Sequence, residues 1–156
     1  MPLAVGAKAP DVTLYDKDRK KKNLSEFKGK STVLAFFPGA FTGVCRKEAC
    51  TLRDSATELN SLNAQVVGVS VDSPWAQMGW ADADKLNFPL LSDYKREAIN
   101  KYGVIHPNFG GVEGYDTSKR AVFVLDKDQT VRYAWVGEPP TEPPYQEIKD
   151  ALAKLK

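Results

Sequence analysis

The sequence is poor in the residues that build metal sites and disulfide scaffolds. It has two cysteines and one histidine, His106, in 156 residues. A structural zinc site takes four such ligands, so zinc is disfavoured, and two cysteines are too few for a disulfide-rich scaffold. We expect His106, which precedes a proline in a glycine-rich loop, to be an ordinary exposed or capping residue.

The chain also lacks an excess of charge of one sign and a long apolar run. Its 22 basic and 20 acidic side chains give a net charge of +2, which offers no electrostatic reason to expect a nucleic acid or an anionic membrane as partner. No apolar run approaches the ~20 residues that cross a bilayer, and the first residues do not resemble a secretory leader. We therefore expect a cytoplasmic protein, where cysteines are more often catalytic, redox-active or ligating than structural.

Apolar runs and helical periodicities alternate along residues 1–156 and predict one α/β domain. The predicted strands are 12–15, 22–23, 31–37, 66–71, 88–91, 121–125 and 131–136, and the predicted helices are 43–60, 74–85, 94–102 and 145–156. The last two strands are too close in sequence for a crossover, so we expect them to be antiparallel in a mixed central sheet. A βαβ half followed by a ββα half, with flanking helices and an N-terminal hairpin, is the thioredoxin-like arrangement.

The most informative segment follows the predicted central strand. Pro38, Thr42 and Cys45 are spaced four and then three residues apart, and the helical pattern begins at Gly43. Cys45 is therefore predicted to lie in the first turn of a helix, where unpaired backbone N–H groups and the positive end of the helix dipole favour a thiolate. With a guanidinium nearby, we expect the pKa of Cys45 to be lowered, giving a sulfur that can attack a peroxide O–O bond.

The second cysteine, Cys50, lies five residues further along the same predicted helix. In a regular helix, residues at this spacing have α-carbons about 8.7 Å apart. A disulfide tolerates at most about 7 Å, so a bridge to Cys45 requires the first turns of the helix to unwind. If Cys50 resolves an oxidised Cys45, the protein must alternate between a folded reduced form and a locally remodelled oxidised form.

The same residues admit other interpretations. Cys45 lies on the apolar stripe of its helix, where many cysteines are buried and inert. Cys45 and Cys50 are not a C-x-x-C pair, which gives little support to a thioredoxin-type oxidoreductase. Trp75 and Trp80 on the next helix are expected to be core anchors rather than a platform for a ligand.

The segment from Pro38 to Cys45 resembles the Pro-x-x-x-Thr-x-x-Cys signature of the peroxiredoxins. Further segments are similar to that family in the family's order and extend the resemblance over nearly the whole chain, namely Val69–Ser73, Trp80, Phe88–Asp93 and Arg120–Asp126. The spacing of the two cysteines is similar to that of the bacterioferritin-comigratory, or Q-type, subfamily. The resemblance implies a thioredoxin-like fold.

The resemblance also implies roles for five residues. Cys45 matches the peroxidatic cysteine, and Pro38 and Thr42 match its partners. Arg120 matches the arginine that activates both the sulfur and the peroxide. Glu48 matches the acidic residue that orients this arginine, although alone it would be interpreted as an exposed helical carboxylate, and Arg120 alone as half of a surface ion pair.

The implied function is a thiol-dependent peroxidase that reduces hydrogen peroxide and organic hydroperoxides without metal, haem or flavin. Cys50 then matches the resolving thiol, and a thioredoxin-like protein would reduce the disulfide. A one-cysteine enzyme with an external resolving thiol, a thiol–disulfide oxidoreductase and a redox sensor or chaperone of the same fold stay open as alternatives. We expect a monomer or a weak homodimer. The sequence does not decide between them, since Trp75, Trp80 and Tyr94 could cover a dimer face or belong to the core.

Overall fold

The computed structural model describes residues 1–156 and contains nine strands and five α-helices. The strands are β1 (Thr13–Asp16), β2 (Lys21–Asn23), β3 (Ser31–Phe36), β4 (Ala64–Ser70), β5 (Leu90–Ser92), β6 (Ile105–His106), β7 (Thr117–Ser118), β8 (Arg120–Leu125) and β9 (Val131–Gly137). The helices are α1 (Gly43–Asp54), α2 (Ala56–Ser61), α3 (Pro74–Asp84), α4 (Glu97–Lys101) and α5 (Tyr145–Ala153). No helix is both long and apolar enough to cross a bilayer.

Seven strands form one mixed sheet in the order β2-β1-β5-β4-β3-β8-β9, and β6 pairs with β7 apart from it. The central strands β3, β4 and β5 are parallel, whereas β1, β2, β8 and β9 pair antiparallel with their neighbours. The mixed sheet, its flanking helices and the N-terminal hairpin are confirmed. This topology brings the carboxyl ends of β3 and β4 and the start of β8 to the same edge of the sheet.

The sheet has an apolar cluster on each face because side chains alternate along each strand. In β3, Leu34 and Phe36 belong to one cluster, and Val33 and Ala35 belong to the other. The second cluster also contains Cys45, together with the buried faces of α1, α3 and α5. Strand β3 is therefore buried on both faces, as expected for a central strand, and the turn that leads to Cys45 follows it directly.

Three predicted elements differ from the structure for local reasons. The helix predicted over 43–60 breaks at Ser55, whose hydroxyl donates to the Thr51 carbonyl over 2.8 Å and competes with the helical pattern. The helix predicted from Tyr94 begins only at Glu97, because Arg96 has a left-handed φ of +62°. The predicted loop over 106–118 contains the short strand β7, which pairs antiparallel with β6.

The two tryptophans of α3 lie on opposite sides of that helix. Trp80 is fully buried and its ring packs edge-on against Phe37, with centroids 5.3 Å apart. Trp75 is 60% exposed, so its predicted role as a core anchor is wrong. The five-residue separation turns the two side chains about 140° apart around the axis, which explains why one helix face buries only one of them.

Candidate active site

The candidate site lies at the edge of the sheet where β3 and β4 end. Pro38 follows β3 and is buried, and Asp72 follows β4. The Ala40 backbone N–H donates to Asp72 Oδ2 over 2.8 Å, which ties the turn after β3 to the neighbouring strand. Arg120 opens β8, whose antiparallel register pairs Phe36 with Ala121 and so brings the arginine to the same edge.

The turn between Pro38 and α1 is tightly built. Phe41 has a left-handed φ of +64°, a costly conformation for an aromatic residue. A side chain at Gly39 would meet the Thr42 methyl group and the Phe109 ring at 3.3 and 3.6 Å, so glycine allows these groups to approach closely. Thr42 is the residue preceding α1, but its hydroxyl donates to the Gly39 carbonyl over 2.8 Å and does not cap the helix.

Cys45 is completely buried in the first turn of α1, as the pattern predicted. Burial raises the pKa of its thiol, and the Arg120 charge, the Thr42 hydroxyl and the Gly39 backbone lower it by less. The expectation of a net lowering is therefore wrong for the thiol buried in this position. A thiolate here depends on Arg120 to offset the cost of removing the charge from water.

Arg120 is 1% exposed and is held from two sides. Its Nη1 donates to Glu48 Oε1 over 3.1 Å, and its Nε donates to the Pro139 carbonyl over 2.9 Å, with a second bond from Nη2 to the same oxygen. Glu48 is fully buried, and burial raises its pKa to about 8 although Arg120 lowers it. Its second oxygen, Oε2, has no hydrogen-bond partner.

One buried guanidinium therefore serves two buried acids, the Cys45 thiol and the Glu48 carboxyl. A single positive charge compensates one negative charge well and two poorly in a water-free site. The two acids are expected to titrate as a coupled pair, so that ionisation of one disfavours ionisation of the other.

Cys50 stands apart from this group. It is half-buried, both cysteines are free thiols, and α1 runs unbroken through both positions. The regular helix keeps their α-carbons near the ~8.7 Å spacing, too far for a disulfide. The described arrangement thus corresponds to a reduced form, and a bridge between Cys45 and Cys50 would require α1 to unwind.

The structure brings together most of the predicted site residues and adds several that the sequence did not indicate. Cys45, Thr42, Glu48 and Arg120 converge, with Pro38 buried in the turn beside them. The residues that sequence reasoning missed are Asp72, Phe109 and Pro139. Asp72 lies within the family-like segment Val69–Ser73, but no role was predicted for it, and Pro139 acts through a backbone carbonyl, which leaves no side-chain signal to detect.

His106 is half-buried, and its Nδ1 lies 3.6 Å from Glu138 Oε2. Glu138 directly precedes Pro139, whose carbonyl accepts from Arg120, and the imidazole ring also packs edge-on against Phe109 with centroids 6.0 Å apart. The exposed or capping role expected for His106 stays a prediction.

The thioredoxin-like sheet and the buried cysteine near an arginine agree with the resemblance to the peroxiredoxins. The sequence pattern of the AhpC/TSA family matches residues 5–134, so the chain belongs to this family. Together with the relatives described next, this membership makes the protein a thiol-dependent peroxidase.

Several of the relatives are peroxiredoxins of the Bcp type. The chain is 34% identical over 134 residues to the peroxiredoxin Bcp of Escherichia coli strain K12, covering 86% of each protein. It is 36% identical over 130 residues to the putative peroxiredoxin bcp of Haemophilus influenzae, covering 83% of this chain and 84% of the relative. The crystal structure of the peroxidoxin BcpB of Mycobacterium tuberculosis superposes with a TM-score of 0.87 at 28% identity, covering 99% of both chains.

Proposed function

We propose that Cys45 is the nucleophile with which this protein, acting as one domain over residues 1–156, reduces hydrogen peroxide and organic hydroperoxides. The observation that carries the proposal is the position of the buried Arg120 guanidinium, near enough to the buried Cys45 thiol at the start of α1 to lower its pKa. A structural cysteine needs no cation beside it, and a buried arginine is costly unless its charge is used.

The first chemical step is a two-electron transfer from sulfur to oxygen. The Cys45 thiolate attacks the terminal peroxide oxygen, so an S–O bond forms while the O–O bond breaks. The leaving oxygen takes a proton and departs as water or an alcohol, and Cys45 becomes a sulfenic acid. Arg120 and the backbone N–H groups at the start of α1 stabilise the developing negative charge.

Three residues support this step without reacting. Thr42 has one hydroxyl proton, now donated to the Gly39 carbonyl, and rotation would redirect it to the sulfur or the peroxide. Glu48 orients Arg120 through the 3.1 Å bond to Nη1. Pro38 fixes the turn and, being buried, shields one side of the sulfur from water.

The second step is resolution by Cys50. Its thiolate attacks the sulfur of the Cys45 sulfenic acid, an S–S bond forms and water leaves. The presence of Cys50 on the same helix supports this role, and unwinding of α1 provides the route. A thioredoxin-like dithiol, the kind of reductant that peroxiredoxins use, would then reduce the bridge.

Setting and assembly are part of the same proposal. We place the protein in the cytoplasm, where thioredoxin-like dithiols keep cysteines reduced. We propose a monomer or a weak homodimer, which the exposure of Trp75 and Tyr94 supports, at 60% and 45%. Phe41 and Tyr115 are exposed as well, at 47% and 36%, and four exposed aromatic side chains fall short of the roughly 2,000 Å² or more that an obligate interface buries.

Serine substitutions test the two sulfur roles separately. Cys45→Ser is expected to abolish peroxide consumption, because no thiolate remains to attack the O–O bond. Cys50→Ser is expected to keep one rapid turnover per chain but lose turnover supported by thioredoxin. Stopped-flow kinetics with hydrogen peroxide and a bulky hydroperoxide measure both, and peroxidase activity retained by Cys45→Ser would refute the assignment.

Mass spectrometry after one equivalent of peroxide distinguishes the mode of resolution. The wild type is expected to lose two hydrogens through a Cys45–Cys50 disulfide, and Cys50→Ser is expected to stop at the sulfenic acid, one oxygen heavier. A wild-type protein that stops at the sulfenic acid would indicate a one-cysteine enzyme with an external resolving thiol.

A further inference from the structure

Asp84, the last residue of α3, lies at the centre of a polar cluster that the proposed chemistry does not use. It is 8% exposed. Arg46 donates to both carboxylate oxygens, from Nε over 2.9 Å and from Nη2 over 2.6 Å, and the Trp80 indole donates to Oδ2 over 2.9 Å. Arg53 donates from Nη1 to the Asp84 backbone carbonyl. We call these four residues the Asp84 clasp.

The clasp ties α3 to the helix that carries both cysteines. Arg46 and Arg53 both belong to α1, whereas Asp84 and Trp80 belong to α3. A bidentate bond between a guanidinium and a carboxylate fixes direction as well as distance. Arg46 directly follows Cys45, so the first turn of α1 is held at the point where it carries the reactive sulfur.

Cys50 lies between the two arginines of the clasp. Arg46 is four residues before it and Arg53 three residues after it, and these spacings put all three on one face of α1. Both guanidiniums are close enough to interact electrostatically with the Cys50 sulfur. The Asp84 carboxylate partly neutralises the positive charge that would otherwise act on this thiol.

Formation of a Cys45–Cys50 bridge must disturb this arrangement. Residues 45–50 have to leave the helix, and Arg46 lies inside that segment. Arg46 must therefore separate from Asp84, while the Arg53 bond at the far end of α1 can persist. The clasp therefore opposes unwinding of α1 in the reduced form. When the bridge forms, the Arg46–Asp84 bonds break and the Arg53–Asp84 bond is kept.

We propose that Asp84 is a positioning residue that holds α1 closed through Arg46 and thereby limits the rate at which oxidised Cys45 reaches Cys50. The second half of this statement rests on the proposed resolving role of Cys50. In the closed form the thiol lies near Arg120 and Thr42, whereas in the open form the two sulfurs meet. Asp84 would thus set the division of the sulfenic acid between disulfide formation and further oxidation to sulfinic acid.

Asp84→Asn tests the proposal with little change in shape. The amide keeps an acceptor for Trp80 but removes the charge and one of the two Arg46 bonds, and the Arg53 bond to the backbone carbonyl remains. Disulfide formation after a single equivalent of peroxide is expected to be about three- to tenfold faster, as befits the loss of a half-exposed ion pair. The preceding attack on peroxide is expected to change less than twofold.

Asp54→Asn is the matched control. Asp54 pairs with Arg53 over 2.9 Å at the exposed end of α1, so this variant removes a carboxylate from the same helix without touching Arg46. It is expected to leave both rates unchanged. Arg46→Gln, at a side chain that is 47% exposed, is expected to reproduce the effect of Asp84→Asn.

Hydrogen exchange separates a failure of this proposal from a failure of the proposed function. In a Cys50→Ser background no bridge can form, yet Asp84→Asn is still expected to speed exchange of the α1 amides at residues 46–50 and to leave β3 and β4 unchanged. Unchanged exchange and unchanged resolution would overturn the proposal. Faster exchange in a protein whose wild type never forms the bridge would support the hold on α1 and refute resolution by Cys50.

Discussion

Arg120 is the residue on which the chemistry of the site depends, because it is the cation that the two buried acids share. Its guanidinium donates one hydrogen bond to Glu48 and two to the Pro139 carbonyl. These bonds fix the plane of the group, and its charge remains available to the sulfur. The fixed position has a cost, since whatever compensates Arg120 at rest competes with the thiolate that the reaction needs.

The competition between Cys45 and Glu48 can be measured. In a Cys50→Ser background, Glu48→Gln is expected to lower the pKa of Cys45, because the neutral amide still accepts from Arg120 but no longer uses its charge. Thiolate absorbance near 240 nm followed against pH measures the shift. Glu58→Gln is the control, since Glu58 pairs with Lys149 at 2.9 Å on α2, away from Arg120, and should have a much smaller effect. An unchanged or higher pKa of Cys45 in Glu48→Gln would contradict the shared charge.

At the scale of elements, α1 and α3 begin in different ways although both follow a central strand. Ser73 caps α3 in the usual manner, with its side chain accepting from the Ala76 N–H over 3.1 Å. Thr42 holds the equivalent position before α1 and directs its hydroxyl away from the helix, to the Gly39 carbonyl. The helix that carries the nucleophile thus keeps its first N–H groups free of a side-chain cap, which leaves them available to a sulfur or a peroxide.

Replacement of the α3 cap should affect stability and leave chemistry alone. Ser73→Ala is expected to lower the free energy of unfolding by about 1 kcal/mol, because one N–H of the first turn loses its acceptor. Urea denaturation measures the loss. Ser61→Ala is a suitable control, since its hydroxyl only donates to the Glu58 carbonyl at the exposed end of α2. A peroxidase rate that falls in step with stability in Ser73→Ala would show that α3 takes a direct part in the site.

Sequence patterns could predict the elements that are continuous in the chain. The apolar run of β3 and the spacing of Pro38, Thr42 and Cys45 predicted a buried strand, a turn and a helix start, because each depends on neighbours only a few residues away. The break at Ser55 and the exposure of Trp75 escaped prediction. The first depends on one side-chain bond, and the second depends on which face of α3 meets the sheet.

Prediction of the site stopped where distant parts of the chain meet. Arg120 lies 75 residues after Cys45 and reaches it only through the antiparallel pairing of β8 with β3, so family resemblance alone suggested it. The sign of the Cys45 pKa shift was missed for the same reason. Helix position and charge are visible in a sequence, whereas the desolvation that outweighs them arises only from the packed second cluster.

At the scale of the whole molecule, three carboxylates outside the site should lose their stabilising contribution in acid. The hydrogen bond from Arg46 lowers the pKa of Asp84, and the hydrogen bond from Tyr145 lowers the pKa of Glu142. Burial raises the pKa of Asp126, but hydrogen bonds from Thr130 and Arg132 lower it by more. A carboxyl with a lower pKa in the folded than in the unfolded state stabilises the fold above its unfolded pKa. That contribution is lost as the pH falls through the folded value.

A variant that lacks one of these carboxylates measures how much that carboxylate contributes to the pH dependence of stability. Asp126→Asn is expected to be less stable than wild type at pH 7, and the difference is expected to shrink as the pH falls through the lowered folded pKa of Asp126. Urea denaturation across this range measures it. Asp82→Asn, at an exposed position on α3, should match wild type throughout. A difference that stays constant with pH would show that the Asp126 charge does not contribute.

The two-sided core has a consequence for how often the protein can be used. Cys45 and the buried face of α1 belong to one cluster, and the 17 residues of the opposite cluster lie across the sheet from them. If α1 unwinds in each catalytic cycle, the cluster on the opposite face of the sheet would therefore stay packed. The helix could refold against the intact sheet after each reduction, and repeated oxidation would then not require global unfolding or lead to aggregation.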